Sequence, residues 1–326
     1  MNEVVKKRSA FVTGATGCIG SALASRLSGD GWRVVALVRN RERAVHLPKA
    51  VELVEGDLSN WERIAEAMRD CQTVFHLAAK VHASPNTPLQ EFEQVNVAGT
   101  QNVVAAAVEN QVERFIYFST VAVYGENNEI VDESKFPRPT TPYGASKLDA
   151  ERIALTATEL KSTVLRLPVV YGPRDQGNVA KLIEAIRRNR YFIVGDGQNL
   201  KSMVAVENVV DAALQVAGDE RADGEIFNVT DGQPYSQEEI AATIAELLGK
   251  RRPAKLPRWP LLMAGKAGDL VENLIGIALP ITSDRVRKLS SNTVFSSAKI
   301  ERELDFKPRV TLREGLAQAI KNDLNS

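Results

Sequence analysis

Short, almost continuous apolar runs alternate with longer segments in the first half of the chain, and in those segments apolar residues recur every three or four positions. The runs predict buried strands, and the segments between them predict helices. Buried strands that alternate with helices are typical of a parallel sheet covered on both faces. The predicted strands are 9–13, 32–38, 51–57, 73–77, 114–119 and 162–167, and the predicted helices are 21–27, 61–68, 89–110 and 143–158.

The pattern changes after Pro168, where runs that predict strands become short and helical spacing dominates. One further run, 225–229, is expected to return to the main sheet as a strand. We therefore predict an α/β protein with a doubly wound parallel sheet in residues 1–168 and a smaller substrate lobe in residues 169–326. The lobe's predicted helices are 179–190, 206–216, 236–248, 297–304 and 312–324, with a short strand at 192–194.

Composition narrows the class of protein without identifying it. The 326 residues are 44% hydrophobic and 25% charged, and 41 Lys and Arg balance 41 Asp and Glu. This balance gives no reason to expect nucleic acid or an anionic membrane as a partner. Cys18 and Cys71 cannot build a disulfide framework, and the N-terminus shows no apolar core with a cleavage site, so we expect a cytoplasmic protein.

One segment, 259–281, is apolar enough to be tested for membrane insertion. Lys266, Asp269 and Glu272 interrupt it, and no uninterrupted run reaches the roughly 20 residues that span a bilayer. We expect an amphipathic helix that covers the core or a substrate pocket, with no stable membrane insertion. Peripheral membrane attachment is the alternative.

A turn punctuated by glycines joins the first predicted strand to the first helix. Gly14 permits the tight turn, Gly17 lets backbone N–H groups approach a pyrophosphate, and Gly20 lets the helix lie close to the strand. The helix N-terminus then offers unpaired N–H groups and a positive dipole end to the anion. The strand before the turn and the helix after it favour a dinucleotide site over an ordinary turn, which predicts a Rossmann sheet.

Tyr143 and Lys147 are candidates for acid–base chemistry. A phenol with an ordinary pKa of about 10 is a poor acid–base group at neutral pH. Residues four apart share one helix face, and a fixed ammonium stabilises a phenolate, so we expect Lys147 to lower the pKa of Tyr143. Thr120 directly follows the predicted strand 114–119, at the strand end, where its hydroxyl can orient a substrate oxygen. An exposed Tyr–Lys pair is the alternative, against which the glycine turn and Thr120 argue.

The chain resembles the extended short-chain dehydrogenase/reductase family, of the NAD-dependent epimerase/dehydratase type. The motifs that carry the resemblance occur in family order, and the C-terminal half is similar in outline. The resemblance implies an NAD(P)-dependent oxidoreductase or epimerase, but these motifs do not specify a substrate. They are TGATGCIG (13–20), GDL (56–58), HLAA (76–79), NVAGT (96–100), ST (119–120), VYG (123–125), and Tyr143 with Lys147.

The resemblance implies a role for each matched position. Thr120, Tyr143 and Lys147 would form the catalytic group, and Lys147 would also hold the nicotinamide ribose. Asp57 would accept a hydrogen bond from the adenine amine, with a turn aspartate as the alternative, and Asn96 would tie a helix to the active-site strand. The other expected cofactor contacts are Gly14, Thr16, Gly17, Cys18, Ile19, Gly20, Leu58, Ala78, Ala79, Lys80 and Pro168.

The end of the second strand bears on the choice between NAD and NADP. NAD-specific relatives place an acid there to bind the adenosine ribose, whereas this chain has Arg39 and no acid before Glu42. A guanidinium suits a 2′-phosphate, and Arg43 adds positive charge. We therefore expect NADP in preference to NAD, with a solvated Arg39 as the alternative.

Nucleotide-sugar enzymes are the most similar group within the family. Arg174 and Lys201 are candidate partners for the substrate diphosphate, with a surface cation as the alternative for each. Thr120 and His82 are candidate contacts for the sugar, and a solvated loop residue is the alternative for His82. No metal site is expected.

Two departures from related enzymes bear on the reaction. Val169 stands where related epimerases commonly carry an asparagine, and Val121 and Ala122 stand where dehydratases carry an acidic pair. We therefore expect a 4-keto-sugar reductase acting on a nucleotide-linked sugar. The alternatives are a UDP-hexose 4-epimerase, a 3β-hydroxysteroid or flavonoid-type ketone reductase, and a non-catalytic dinucleotide-binding sensor, against which the complete catalytic group argues.

Two predicted helices suggest an oligomer. Helices 89–110 and 143–158 carry more apolar residues than one sheet face requires. The resemblance suggests that two such helices from each subunit form a four-helix contact, so we expect a homodimer. The residues concerned are Val95, Val103, Val104, Ala107, Ala150, Ile153 and Ala154.

Overall fold

The computed structural model describes residues 8–81, 87–127, 129–257, 259–260, 263 and 291–323. Within them the strands are β1 (Ser9–Thr13), β2 (Arg33–Val38), β3 (Glu52–Glu55), β4 (Thr73–His76), β5 (Arg114–Thr120), β6 (Ile130–Val131), β7 (Lys161–Leu167), β8 (Val169–Tyr171), β9 (Ile193–Val194), β10 (Leu200–Lys201), β11 (Met203–Ala205), β12 (Ile226–Asn228), β13 (Tyr235–Ser236), β14 (Lys255–Leu256) and β15 (Val294–Phe295). The α-helices are α1 (Cys18–Gly29), α2 (Trp61–Ala67), α3 (Leu89–Phe92), α4 (Gly99–Glu109), α5 (Pro142–Thr156), α6 (Asn178–Arg187), α7 (Val206–Gly218), α8 (Gln237–Leu247), α9 (Ala298–Leu304) and α10 (Leu312–Asp323).

The main sheet confirms the predicted doubly wound fold. Its seven strands lie in the order β12-β7-β5-β4-β1-β2-β3, and every neighbouring pair is parallel. The chain starts at β1, winds outward to β3, crosses back to β4 and continues to β7. The strand predicted at 225–229 is β12, which pairs with β7 at the sheet edge. The loops after β1 and β4 therefore lie side by side at the carboxyl edge, where doubly wound sheets bind ligands.

Helices cover both faces of this sheet. Successive side chains of a strand point to opposite faces, so each strand contributes to both cores. Val12 packs in the core under α1 and α7, whereas its neighbour Phe11 packs in the core under α2, α4 and α5. The strands are therefore nearly continuous in apolar residues, as expected for a parallel sheet with two helical layers. The sheet and its two helical layers position the loops at the carboxyl edge.

The apolar helix residues on which the predicted homodimer depends pack inside the subunit. Val103, Val104 and Ala150 are 0%, 7% and 0% exposed and belong to the core under α4 and α5. Val95 and Ile153 are partly buried against the same core. These positions do not carry the excess apolar surface inferred from the sequence, because α4 and α5 bury them against the sheet. The homodimer stays a prediction from the resemblance alone.

The lobe after residue 168 is built from short strand pairs and helices. β8 pairs with β11, β9 with β14, and β10 with β13. Its core includes Ile183 of α6, Ile240 of α8 and Leu316 of α10. The predicted helix at 259–281 lies almost entirely outside the described residues, and the domain division at 168 stays a prediction. Across the described ranges, no helix combines the length and the apolar character needed to cross a membrane.

Candidate active site

The glycine turn follows β1 and leads directly into α1. Gly14 has a φ of +70°, and a Cβ there would lie 2.8 Å from the Ala78 nitrogen. A Cβ on Gly20 would lie 2.2 Å from the Gly14 carbonyl oxygen, so only glycine fits this approach of helix and strand. Gly17 is the N-cap residue of α1 and has no side chain that could accept a hydrogen bond from the first turn. The N–H groups of that turn are therefore available to bind an anion. The turn fits the pyrophosphate of a dinucleotide.

A buried hydrogen-bond chain fixes the loop after β4 against this turn. The Thr13 hydroxyl accepts the N–H groups of Leu77 and Ala78 at 3.2 and 3.1 Å. It therefore donates to His76 Nδ1 at 2.7 Å, and His76 Nε2 donates to the Thr100 hydroxyl at 3.0 Å. Burial lowers the pKa of His76 to about 3, so the ring is neutral. Ala78 is thereby held next to the glycine turn, beside the half-buried Ala79.

Thr120 and Tyr143 meet at the carboxyl end of β5. Thr120 Oγ1 accepts the Ala122 N–H at 3.2 Å and so begins the 3₁₀ turn Val121–Tyr124. Gly144 lets α5 approach this turn, because a Cβ there would lie 2.7 Å from the Ala122 carbonyl oxygen. Burial raises the pKa of Tyr143 to about 12, although hydrogen bonding with Thr120 lowers it. The half-buried phenol is therefore protonated at neutral pH.

Lys147 lies one helical turn beyond Tyr143 and is 1% exposed. Its Nζ donates to the Phe118 carbonyl oxygen at 2.7 Å and lies 4.1 Å from the ring centroid of Tyr117. Burial lowers the pKa of Lys147 to about 7, and Glu151 opposes this shift. The expectation that Lys147 lowers the pKa of Tyr143 is wrong for this arrangement, since burial dominates the phenol. The catalytic roles of both residues stay predictions.

Asn96 joins the loop after β4 to the helix that carries Tyr143. The predicted helix 89–110 is interrupted by a π-helix, Glu93–Ala98, between α3 and α4. Asn96 is 1% exposed; its Oδ1 accepts the Lys80 N–H at 2.7 Å, and its Nδ2 donates to Ser146 Oγ at 2.9 Å. Single π-turns of this kind occur frequently at functional sites. These contacts tie the loop after β4 to α5, and the tie to the active-site strand that the resemblance implied for Asn96 stays a prediction.

The expected adenosine end is open to solvent. Asp57 is exposed, and its Oδ1 accepts the Ser59 N–H at 3.0 Å. This hydrogen bond is typical of a turn aspartate, which was the alternative to an adenine contact. Leu58 is 8% exposed and packs against Gly99 of α4. Arg39 is exposed at the end of β2 and has no ion-pair partner among the described residues. A free guanidinium at this position is compatible with a phosphate ligand.

Arg174 lies beside the glycine turn. Burial raises the pKa of Cys18 to about 12 and lowers that of His46, and the Arg174 charge lowers both. Cys18 Sγ donates to the Pro173 carbonyl oxygen at 3.2 Å. Arg174 itself is exposed and has a positive φ of 65°, an uncommon backbone state for a residue with a Cβ. Its expected contact with the substrate diphosphate stays a prediction.

The remaining predicted contacts fall into three groups. Lys201 Nζ donates to the Ser291 carbonyl oxygen, and Lys80 Nζ pairs with Glu91, at 2.7 and 2.6 Å. Both ammonium groups are therefore engaged within the chain. His82 lies outside the described residues. Thr16 and Pro168 are half-buried at the carboxyl edge of the sheet, and Ile19 is partly buried against the core under α1.

A buried ion pair beneath the site was not anticipated from the sequence. Arg166 on β7 donates from Nε and Nη2 to Glu151 on α5, at 3.0 and 2.6 Å, and their side chains are 3% and 2% exposed. Ser119 Oγ donates to Glu151 Oε1 at 2.5 Å. The available signal was the spacing: Glu151 follows Lys147 by four residues and so shares its helix face. In the part of the chain that the structure describes, no cluster of three or more His, Cys, Asp or Glu is arranged to hold a metal ion.

Comparisons with known proteins agree with this geometry. The chain is 29% identical over 317 residues to an Escherichia coli O157:H7 protein named N-acetyl-alpha-D-glucosaminyl-diphospho-ditrans,octacis-undecaprenol 4-epimerase, across 95% of this chain and 94% of that protein. It is 32% identical over 319 residues to a Stigmatella aurantiaca 4-hydroxy-2-methyl-3-oxo-4-farnesyl-3,4-dihydroquinoline-1-oxide ketoreductase, across 94% of each chain.

A solved structure is similar over nearly the whole length. MoeE5 in complex with UDP-glucuronic acid and NAD superposes with a TM-score of 0.77 and 31% identity, across 97% of this chain and 99% of that chain. The profile of the NAD dependent epimerase/dehydratase family matches residues 10–230, which include the glycine turn, Thr120, Tyr143 and Lys147. The chain is an enzyme that belongs to the NAD dependent epimerase/dehydratase family, within the extended short-chain dehydrogenases/reductases.

Proposed function

We propose that this enzyme is an NADP-preferring reductase of a 4-keto sugar carried on a nucleoside diphosphate. Two relatives support a sugar linked to a diphosphate: the Escherichia coli 4-epimerase by its name, and MoeE5 by its complex with UDP-glucuronic acid and NAD. The Stigmatella ketoreductase, similar over 94% of this chain, supports net reduction of a ketone on the same scaffold.

The observation that supports proton transfer to a carbonyl oxygen is the half-buried Tyr143 phenol at the carboxyl end of β5, near Thr120. Burial raises its pKa to about 12, so at neutral pH the phenol holds the proton that a reduced carbonyl oxygen must receive. Thr120, which lies close enough to Tyr143 to lower the pKa of its phenol, is placed to orient that oxygen. Lys147, one helical turn beyond Tyr143, is held by the Phe118 carbonyl oxygen at 2.7 Å, where its ammonium would reach the nicotinamide ribose.

The residues at the carboxyl edge fit a nicotinamide dinucleotide. The uncapped N-terminus of α1 and the glycine turn would hold its pyrophosphate, and Lys147 would hold the nicotinamide ribose. When bound, the cofactor would supply the hydride. Tyr143 then delivers a proton to the carbonyl oxygen, so that hydride and proton together convert the ketone to an alcohol. Arg39, exposed at the end of β2, supports NADP because its guanidinium suits a 2′-phosphate.

Val169 supports reduction over epimerisation. It begins β8, directly after Pro168, and is 41% exposed. Its apolar side chain cannot donate hydrogen bonds to a sugar intermediate that must turn between two faces. The epimerase candidate nevertheless has a specific observation in its favour, since the Escherichia coli relative is named as a 4-epimerase. The two reactions share the same catalytic group and differ in whether reduced cofactor is consumed.

The test is an assay that follows both cofactor and sugar. We expect the purified enzyme to oxidise NADPH when a 4-keto nucleotide sugar is added, with NADH used less efficiently. Tyr143→Phe is the matched control and should consume either cofactor at least ~100-fold more slowly. Interconversion of UDP-hexoses without added cofactor and without net absorbance change would reverse the order of the two candidates. Inertness toward nucleotide sugars, with turnover of a hydroxysteroid or flavonoid ketone, would reject the sugar substrate.

A further inference from the structure

The helix face that carries Tyr143 and Lys147 continues for one more turn to Glu151. Residues four apart on a helix lie above one another, so this face presents all three side chains to the end of β5. Lys147 donates to the carbonyl oxygen of Phe118 at 2.7 Å, and the next strand residue, Ser119, donates its hydroxyl to Glu151 at 2.5 Å. Two adjacent residues of β5 therefore hold two successive turns of α5.

Glu151 is a buried carboxylate with fully defined partners. Arg166 approaches it side-on with Nε and Nη2, and Ser119 approaches Oε1 from the neighbouring strand. The Arg166 guanidinium also lies 4.8 Å from the ring centroid of Tyr124, whose hydroxyl donates to Asn228 Oδ1 at 2.9 Å. A buried ion pair contributes little net stability relative to apolar residues of similar volume. Stability alone therefore gives no physical reason for a charge at this position.

The groups around Lys147 give such a reason. From β5 it faces the ring of Tyr117, and from β4 it faces His76, whose pKa its charge helps to lower. Tyr143 and Glu151 lie one turn before and one turn after it on α5. Tyr117 and Tyr143 have raised pKa values, so both are neutral, as is His76. Among the described groups that face Lys147, Glu151 is therefore the negative charge that offsets its burial.

We propose that Glu151 is a positioning residue for the reaction: held by Arg166 and Ser119 on the helix face of Lys147, its carboxylate favours the charged ammonium form of Lys147, which the Phe118 carbonyl oxygen holds in place. Glu151 itself touches neither substrate nor cofactor in this scheme. The inference rests on the proposed function for the role of Lys147 in turnover. The charge state of Lys147 itself is measurable without any substrate, and this separates the two claims.

The first experiment titrates Lys147 directly by NMR. Protein labelled with ¹³C at lysine Cε is followed over pH, and the Lys147 signal is assigned by its loss in Lys147→Arg. In the wild type we expect a midpoint at a pKa of about 7. In Glu151→Gln the midpoint should fall by about one pH unit or more, as expected for loss of a unit charge one helical turn away. Asp149→Asn, which removes an exposed acid from the same helix, should leave the midpoint unchanged.

A second variant separates charge from folding. Glu151→Gln leaves Arg166 buried and unpaired, which can unfold a protein, whereas Glu151→Gln combined with Arg166→Met removes both charges. The double variant should fold and should still show a lowered Lys147 midpoint. An unchanged midpoint in a folded variant of either kind would overturn the proposal.

The second readout is the pH dependence of NADPH affinity, measured by fluorescence titration. If the Lys147 ammonium holds the ribose, affinity falls as the pH rises through the Lys147 pKa, and in Glu151→Gln this fall should occur at lower pH. If the pH dependence of NADPH affinity is unchanged in Glu151→Gln while the Lys147 midpoint shifts, the role of Glu151 in cofactor binding through Lys147 is overturned. Failure of every sugar to turn over, together with a shifted midpoint, would reject the proposed function and leave the role of Glu151 intact.

Discussion

The thiol of Cys18 donates a hydrogen bond to the carbonyl oxygen of Pro173 across 3.2 Å, although 155 residues separate them in the chain. The bond joins the glycine turn after β1 to the segment that leaves β8 for the lobe. Burial raises the pKa of Cys18 to about 12, so the side chain is a neutral donor at physiological pH. Cys18 is therefore a link between the proposed cofactor turn and the lobe, without the properties of a nucleophile.

Both cysteines should react slowly with alkylating reagents in the native protein. Burial raises the pKa of Cys18 to about 12 and that of Cys71 to about 11, and the thiolate is the reactive form. At mildly alkaline pH we expect labelling by iodoacetamide to be at least ~100-fold slower than in the urea-unfolded chain, where thiols have a pKa of about 8.5. Mass spectrometry identifies the labelled residue. Rapid native labelling of Cys18 would contradict its buried, protonated state.

Tyr143→Phe should lower turnover by at least ~100-fold, the scale for removal of a general acid–base group. The fold and the cofactor affinity should remain, because the ring is retained. Steady-state kinetics and a cofactor titration measure the two effects separately. Tyr235→Phe removes a hydroxyl that reaches Asp231 at 3.4 Å in the lobe and serves as the control. Near-normal turnover in Tyr143→Phe would remove this residue from the catalytic group.

Arg39→Asp should weaken NADP far more than NAD. A carboxylate repels a 2′-phosphate, whereas it can accept hydrogen bonds from the ribose hydroxyls of NAD. Calorimetric dissociation constants for both cofactors give the ratio of affinities. Arg190→Asp makes the same charge change at an exposed position after α6 and should leave the ratio unchanged. Equal losses of affinity for NADP and NAD in Arg39→Asp would show that Arg39 does not bind the 2′-phosphate.

His76 should make the fold less stable in acid. Burial lowers its folded-state pKa from 6.5 to about 3, so the unfolded chain takes up a proton below pH 6.5 that the folded protein does not. The free energy of unfolding therefore falls as the pH decreases from about 6.5 toward 3, by up to about 1.4 kcal/mol per pH unit from this group. Urea denaturation at several pH values should show a shallower dependence in His76→Asn. Equal slopes in both proteins would reject the assignment.

The homodimer is testable in solution. Light scattering at micromolar concentration should give twice the mass of one chain. The structure buries Val103, Val104 and Ala150 within the subunit, so the contact must use other residues of these helices. A single-chain mass at that concentration would reject the dimer.

Local sequence determined the main sheet and the glycine turn. β1, β5 and α5 lie close to their predicted positions because the apolar periodicity of each segment matches the faces that it buries. Gly14 and Gly20 were identifiable for a similar reason, since Gly20 contacts the backbone of the same short turn. For these elements the physical cause lies within a few residues along the chain, and the pattern was sufficient.

Tertiary structure decided the electrostatics of the site. The pKa of Tyr143 depends on how much water the fold excludes around the phenol, and the sequence alone led to the opposite direction. Lys147 is held by a β5 carbonyl, and Glu151 is paired with Arg166 from β7. These effects depend on distances between groups far apart in the chain and on their burial, neither of which periodicity or spacing encodes. The sequence determined which residues reach the carboxyl edge of the sheet, and the packing of α5 against β5 and β7 decided which of them carry charge.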